Sequence, residues 1–226
     1  MKIIALICAR GNSQGIKNKN LLNFKNTTLL GNAIRQAHKS KYINRVVVST
    51  DSRRIAKEAI KNRGEVPFMR PALLANSKSP EIKTWEHAIR FLNKKNDIDY
   101  FVSVPTTAPL RKTSDIDKCI NKAIRERLDI VFTATKSVKN PYFNILKLSK
   151  KKLNVVCKSK KKISRRQDAP TCYDLTTACY VFKPKYIMNN KNIFQGKTGL
   201  VLIPKERAID IDDKIDYKIA KFLSFK

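Results

Sequence analysis

The chain has 226 residues and carries 48 Lys and Arg against 18 Asp and Glu, a formal charge of +30. At 42% hydrophobic and 8% aromatic it can fill a core, which excludes wholesale disorder. Its longest apolar run, Ile3–Ala9, is far short of the ~20 residues of a membrane-spanning helix and leads into Arg10-Gly11-Asn12 rather than a small-residue cleavage site. Neither a signal peptide nor a membrane partner is expected. The five cysteines (Cys8, Cys119, Cys157, Cys172, Cys179) are scattered without C-x-x-C spacing, as in a cytoplasmic protein with reduced thiols. The charge by itself suits nucleic acid. Yet basic residues run along the whole chain, densest from Lys150 to Lys162, with no aromatic RNP pattern, Cys/His finger or heptad-backed basic helix. A solvated lysine-rich surface that mildly attracts anionic substrates is expected, and no nucleic-acid partner.

In chain order, the apolar run Lys2–Ala9 predicts a central strand covered on both faces. A polar segment, Arg10–Asn20, precedes a helix from about Thr28 to Ser40. Arg45–Thr50 is the second strand, with Asp51 placed to cap a helix over Ser52–Asn62 that Gly64 stops. Pro80 opens a helix over Glu81–Lys94, and Tyr100–Val104 is the third strand. Thr113 or Ser114 caps a helix reaching Arg127, and Asp129–Ala134 is the fourth strand. The alternation then breaks. Phe143–Leu148 and Leu153–Lys158 flank a Ser149–Lys152 turn and predict a hairpin. Ala178–Phe182 and Leu200–Ile203 are later strands, and Asp212–Ser224 a closing helix. Strand–helix alternation predicts an α/β, Rossmann-like three-layer fold with a mostly parallel sheet. The whole of 1–226 is expected to be one domain, with 140–172 protruding from it.

In such sheets ligands bind beyond the carboxyl ends of the strands, where three polar segments fall. Arg10–Asn20 offers glycines, small polar side chains and cations to a triphosphate, although the same residues also make ordinary solvated turns. It has neither the Walker A nor the G-x-G-x-x-G spacing. Ala208-Ile209-Asp210-Ile211-Asp212-Asp213 puts Asp210 and Asp212 on one side of an extended segment, half of a Mg²⁺ site. The competing role is that Asp212 or Asp213 caps the last helix. Val104–Arg111 by itself is a turn before a helix.

Together these residues resemble the acylneuraminate cytidylyltransferase family. The resemblance rests on Ala9-Arg10-x-Asn12-Ser13-x-Gly15 with Lys19-Asn20, Val47–Asp51, Arg70-Pro71-Ala72-x-Leu74-Ala75, Thr107–Arg111, Arg166-Gln167-x-x-Pro170 and Ile209–Asp212, all in family order. It implies transfer of CMP from CTP to the anomeric hydroxyl of a nonulosonic, 2-keto-3-deoxy sugar acid, with pyrophosphate released. An eight-carbon octulosonic acid is the alternative substrate, and a basic nucleic-acid-binding protein with a vestigial loop is the alternative of another class. By the resemblance, Ala9, Arg10, Ser13, Lys19, Asn20, Arg70 and Ser79 bind the nucleotide, with Arg10, Lys19 and Asp212 acting in catalysis. Asp210 and Asp212 hold Mg²⁺, Thr106, Thr107, Arg166, Gln167 and Thr176 bind the sugar, and the excursion joins a homodimer. Three positions depart from the family: Gln14 stands where Lys is common, Pro105-Thr106 replaces Gln-Pro, and Thr176-Thr177 replaces Asn-Gly. His38 and His87 lie within helical patterns and carry no assigned role.

Overall fold

A computed structural model describes every residue except Gln14, Lys160, Lys161, Lys191 and Lys226. The departure at Gln14 and two lysines of the dense basic patch therefore lie outside the described residues. The chain runs β1 (Ile3–Cys8), β2 (Asn23–Phe24), β3 (Thr27–Thr28), α1 (Leu29–His38), β4 (Arg45–Ser49), α2 (Arg53–Lys61), α3 (Glu81–Leu92), β5 (Tyr100–Ser103) and α4 (Thr113–Arg125). It continues through β6 (Ile130–Lys136), β7 (Leu146–Ser149), β8 (Lys152–Val155), β9 (Tyr173–Phe182), α5 (Pro184–Asn189), β10 (Thr198–Leu202) and α6 (Lys214–Leu223).

Six strands form one sheet in the order β10-β6-β9-β5-β1-β4. Side chains alternate across it as the two-residue strand period demands. Ile3, Ala5, Ile7, Val46, Val48 and Val102 meet α1, α2 and α4 on one face. Ile4, Leu6, Val47, Phe101 and Phe182 meet Trp85, Ala88 and Ile89 of α3 and Ile187 of α5 on the other. The result is the three-layer α/β arrangement expected from the alternation.

Several local expectations shift. β9 is antiparallel to both its neighbours, β5 and β6, and is the one antiparallel strand in the sheet. It begins at Tyr173, five residues before the expected strand, because Lys136 and Thr135 pair with Tyr173 and Asp174. Ser52, not Asp51, caps α2, its hydroxyl accepting the Ile55 N–H. The closing helix starts at Lys214 under the Asp213 cap. No Ser or Thr caps α4. It follows Lys112, whose N–H is taken by Asp115 from within the first turn. The hairpin is present but shorter, β7 and β8 turning at Lys150-Lys151, both with positive φ. All five cysteines are free thiols. Among the described residues no helix is long and apolar enough to cross a membrane.

Candidate active site

At the carboxyl ends of β1 and β5 the chain leaves the sheet on opposite sides of a cleft of about 430 Å³. The β1 exit carries the cationic loop and the β5 exit carries Pro105–Thr107. The two are stitched by one buried side chain, Asn20: its amide donates to the Arg10 carbonyl (2.9 Å), and its amide oxygen accepts from the Thr106 hydroxyl (2.6 Å). Asp51, released from the cap, accepts the Gly11 N–H at 2.8 Å. Here a conformationally local job was expected and a long-range one is found: the carboxylate anchors the loop 40 residues away.

The aspartate segment closes the third side. Ile211 N–H donates to the Thr107 carbonyl (2.8 Å), and Ile211 is buried with Ile16, Phe24, Leu29 and Ala220. Gly15 lies so close that a Cβ built on it would stand 2.0 Å from the Asp212 carbonyl oxygen, so only glycine fits. Lys19 Nζ reaches the Ile211 carbonyl (2.6 Å) and Asp212 Oδ1 (3.2 Å). Asp213 accepts the N–H groups of Ile215 and Asp216, so the cap is its task and not that of Asp212. The Asp212 side chain is 80% exposed and lines the cleft. Asp210 Oδ1 is buried with no hydrogen-bond partner. Both groups are hard oxygen donors two residues apart on one segment, and an orphaned carboxylate oxygen with an open one fits a divalent cation that takes its remaining ligands from phosphate and water.

Arg10, Ser13, Lys19, Asn20, Thr106, Thr107 and Asp212 are thus brought to one cleft. Ala9 is buried beneath it, its N–H on the Ser49 carbonyl. Arg70 is buried behind β4, held by the Ser49 hydroxyl and carbonyl. Ser79 sits on the loop before α3, where Asn76 takes a long hydrogen bond from Arg10 (3.3 Å). Arg166 and Gln167 do not join them. They line a separate depression of about 340 Å³ on the excursion with Lys136, Ser137 and Asn140. Thr176 also lies apart, its hydroxyl spent on Thr133 (2.8 Å), and the residue of that pair that lines the cleft is Thr177.

Sequence reasoning gave Glu81 no role, gave Asp51 only a cap, and noted Thr177 only as a departure next to Thr176, the residue it assigned to the sugar. Glu81, first residue of α3, is exposed to solvent and lines the cleft. Burial lifts the Tyr180 hydroxyl to about 12, with Glu81 and Asp210 adding to it, and the Cys8 thiol to about 12. Cys8 therefore stays protonated and is no nucleophile at neutral pH.

A cation-rich loop facing an aspartate segment suits the movement of a phosphoryl-type group onto an acceptor. A model of the cytidylyltransferase family matches residues 4–217. The chain belongs to that family. It is a nucleotidyltransferase. Over 225 residues it is 36% identical to the post-translational flagellin modification protein B of Campylobacter coli, covering 98% of this chain and 94% of that protein. The same figures hold for the CMP-N,N'-diacetyllegionaminic acid synthase of Campylobacter jejuni. Among solved structures, a CMP:2-keto-3-deoxy-manno-octonic acid synthetase superposes with a TM-score of 0.73, at 12% identity and with 100% of this chain and 99% of that one covered, a likeness of fold.

Proposed function

We propose that this enzyme transfers CMP from CTP to the anomeric hydroxyl of a nonulosonic acid of the diacetylated legionaminic type, releasing pyrophosphate. The observation that carries this reading is the cleft in which Arg10, Ser13 and Lys19 share a lining with Asp212, two residues beyond Asp210, whose Oδ1 is buried without a hydrogen-bond partner. The 36% identity to a CMP-N,N'-diacetyllegionaminic acid synthase over nearly all of both chains supports the choice of nucleotide and of acceptor class.

Phosphoryl-type transfer asks chiefly for positioning and charge neutralisation. Arg10 and Lys19 hold the triphosphate and offset the charge that grows on the leaving pyrophosphate. Asn20, fixed between Arg10 and Thr106, keeps the loop in register with the sugar side of the cleft. Asp210 and Asp212 would hold Mg²⁺, which supplies charge neutralisation at phosphate oxygens when bound. The nucleophile is the substrate's own hydroxyl. Asp212, the open carboxylate of the pair, receives its proton directly or through water.

The enzyme works as a homodimer in the cytoplasm, where its five free thiols persist. The excursion supports the dimer: Leu146, Leu148 and Leu153 stand exposed on β7 and β8, a patch of the kind that marks an interface. The test is pyrophosphate release from CTP and Mg²⁺ against N,N'-diacetyllegionaminic, pseudaminic, N-acetylneuraminic and octulosonic acids, with ATP, GTP, UTP and EDTA controls. Release with CTP and the legionaminic acid, abolished by EDTA, is the expected result. Release with none of the acids, or with another nucleotide instead of CTP, would overturn the proposal.

A further inference from the structure

β9 pairs with β6 in two registers. Tyr180, Val181 and Phe182 match Phe132, Val131 and Ile130, whereas Thr176 matches Thr133. Thr177, Ala178 and Cys179 therefore face no residue of β6, a bulge placed where the strand passes the cleft. Bulges re-aim side chains, and they are common beside active sites. This one is fastened on both sides by buried polar groups. The Thr133 hydroxyl accepts the Cys179 N–H (3.0 Å) and donates to the Cys179 carbonyl (3.0 Å). The guanidinium of Arg111, 2% exposed, donates to the Ala178 carbonyl (2.8 Å). Burial lowers the Arg111 pKa to about 10, still far above neutrality, so the clamp remains charged.

What the bulge presents is Thr177. Its Oγ1 is buried and has no hydrogen-bond partner, while the residue lines the cleft with Glu81, Thr106 and Asp212. A buried hydroxyl without a partner is uncommon in a folded protein, since desolvating it carries a cost that a hydrogen bond normally offsets. Nothing in the local packing calls for a hydroxyl there, and the neighbouring Thr176 already serves the core through Thr133.

We infer that Thr177 is a specificity-determining residue, whose hydroxyl binds a neutral polar group of the sugar acid, a hydroxyl or an acylamino N–H. This rests on the cytidylyltransferase reading given above. The group is neutral because the Glu81 carboxylate, which lines the cleft with Thr177, repels the acid's own carboxylate, whereas Asp212 is paired with Lys19. No hydrogen bond joins the Thr177 hydroxyl to Arg10 or Lys19, so its effect is expected on the acceptor and not on CTP.

The test compares Thr177→Val, which keeps the branched volume, with Thr177→Ser, which keeps the hydroxyl. Steady-state pyrophosphate release is measured with the best of the acids named above, and both variants are checked for native thermal unfolding. Thr177→Val should raise KM for the sugar acid about ten- to a hundredfold while KM for CTP stays unchanged, and Thr177→Ser should recover most of the loss. An unchanged sugar KM in Thr177→Val, or equal rises for sugar and CTP, would overturn the inference and leave the enzyme reading standing. A wild-type protein silent with every acid would remove both at once.

Discussion

Two polar depressions carry arginine, lysine and amide side chains, and they are built in opposite ways. The cleft is braced from segments far apart in sequence: Gly11 on Asp51, Asn20 between Arg10 and Thr106, Lys19 on Ile211, and Ile211 on Thr107. The excursion depression is held by neighbours within the excursion and its roots, Arg166 on the Ser137 carbonyl and Asn140 on that of Pro170. The same excursion carries leucines left 71% and 67% exposed at Leu148 and Leu153. A site that must neutralise a developing charge needs groups fixed before the reaction begins, and long-range bracing provides that. Under the proposed dimer, a surface that meets a second copy of the chain can leave part of its apolar area open in the single chain.

The largest effect should come from the carboxylates. Asp212→Asn, and separately Asp210→Asn, should lower turnover about a thousandfold with thermal unfolding unchanged; near-normal rates in both would break the metal assignment. Gly15→Ala comes next. Its methyl group cannot coexist with the Asp212 carbonyl, so the loop and the aspartate segment must part, and a displacement near 1 Å costs about a hundredfold in rate. A crystal structure or an amide-exchange map of that variant would show where the seam opened.

Thr106→Val removes only the hydroxyl that orients Asn20. Its KM for CTP should rise about tenfold, with about 1 kcal/mol lost from stability, read by initial rates and by chemical denaturation. The smallest effect on the cleft should follow Leu148→Ser combined with Leu153→Ser. Sedimentation should show the dimer dissociating while calorimetric CTP binding is retained. Loss of CTP binding in that variant would erase the distinction between the two depressions.

Much of the fold was legible because buried strands and amphipathic helices carry their period in the sequence. β1, β4, β5 and β6 lie within a residue or two of their predicted places. The direction of β9 was not legible, since an apolar run reads alike whichever way it enters the sheet. Its bulge was hidden for a related reason. Side-chain alternation presumes an unbroken ladder, and three unmatched residues exchange the roles of Thr176 and Thr177. Asp51 had the local look of a cap, and only the approach of Gly11 from a distant loop revealed its task. The grouping of Arg10, Lys19 and Asp212 followed from strand ends and from the family resemblance together. Glu81 carries no mark of its place in the cleft, being one more acid at the head of a helix.

The excursion leaves the sheet after Lys136 and returns at Tyr173, residues paired with each other, and the Ser137 N–H still reaches the Cys172 carbonyl at 3.0 Å. Its two roots are therefore adjacent, like the ends of a handle. Closing such a segment costs free energy that grows only slowly with its length, so its lengthening, shortening or exchange barely disturbs the ladder beneath. If the excursion joins the proposed dimer, its recognition surface can be rewritten in a stretch of chain whose ends the sheet already holds together.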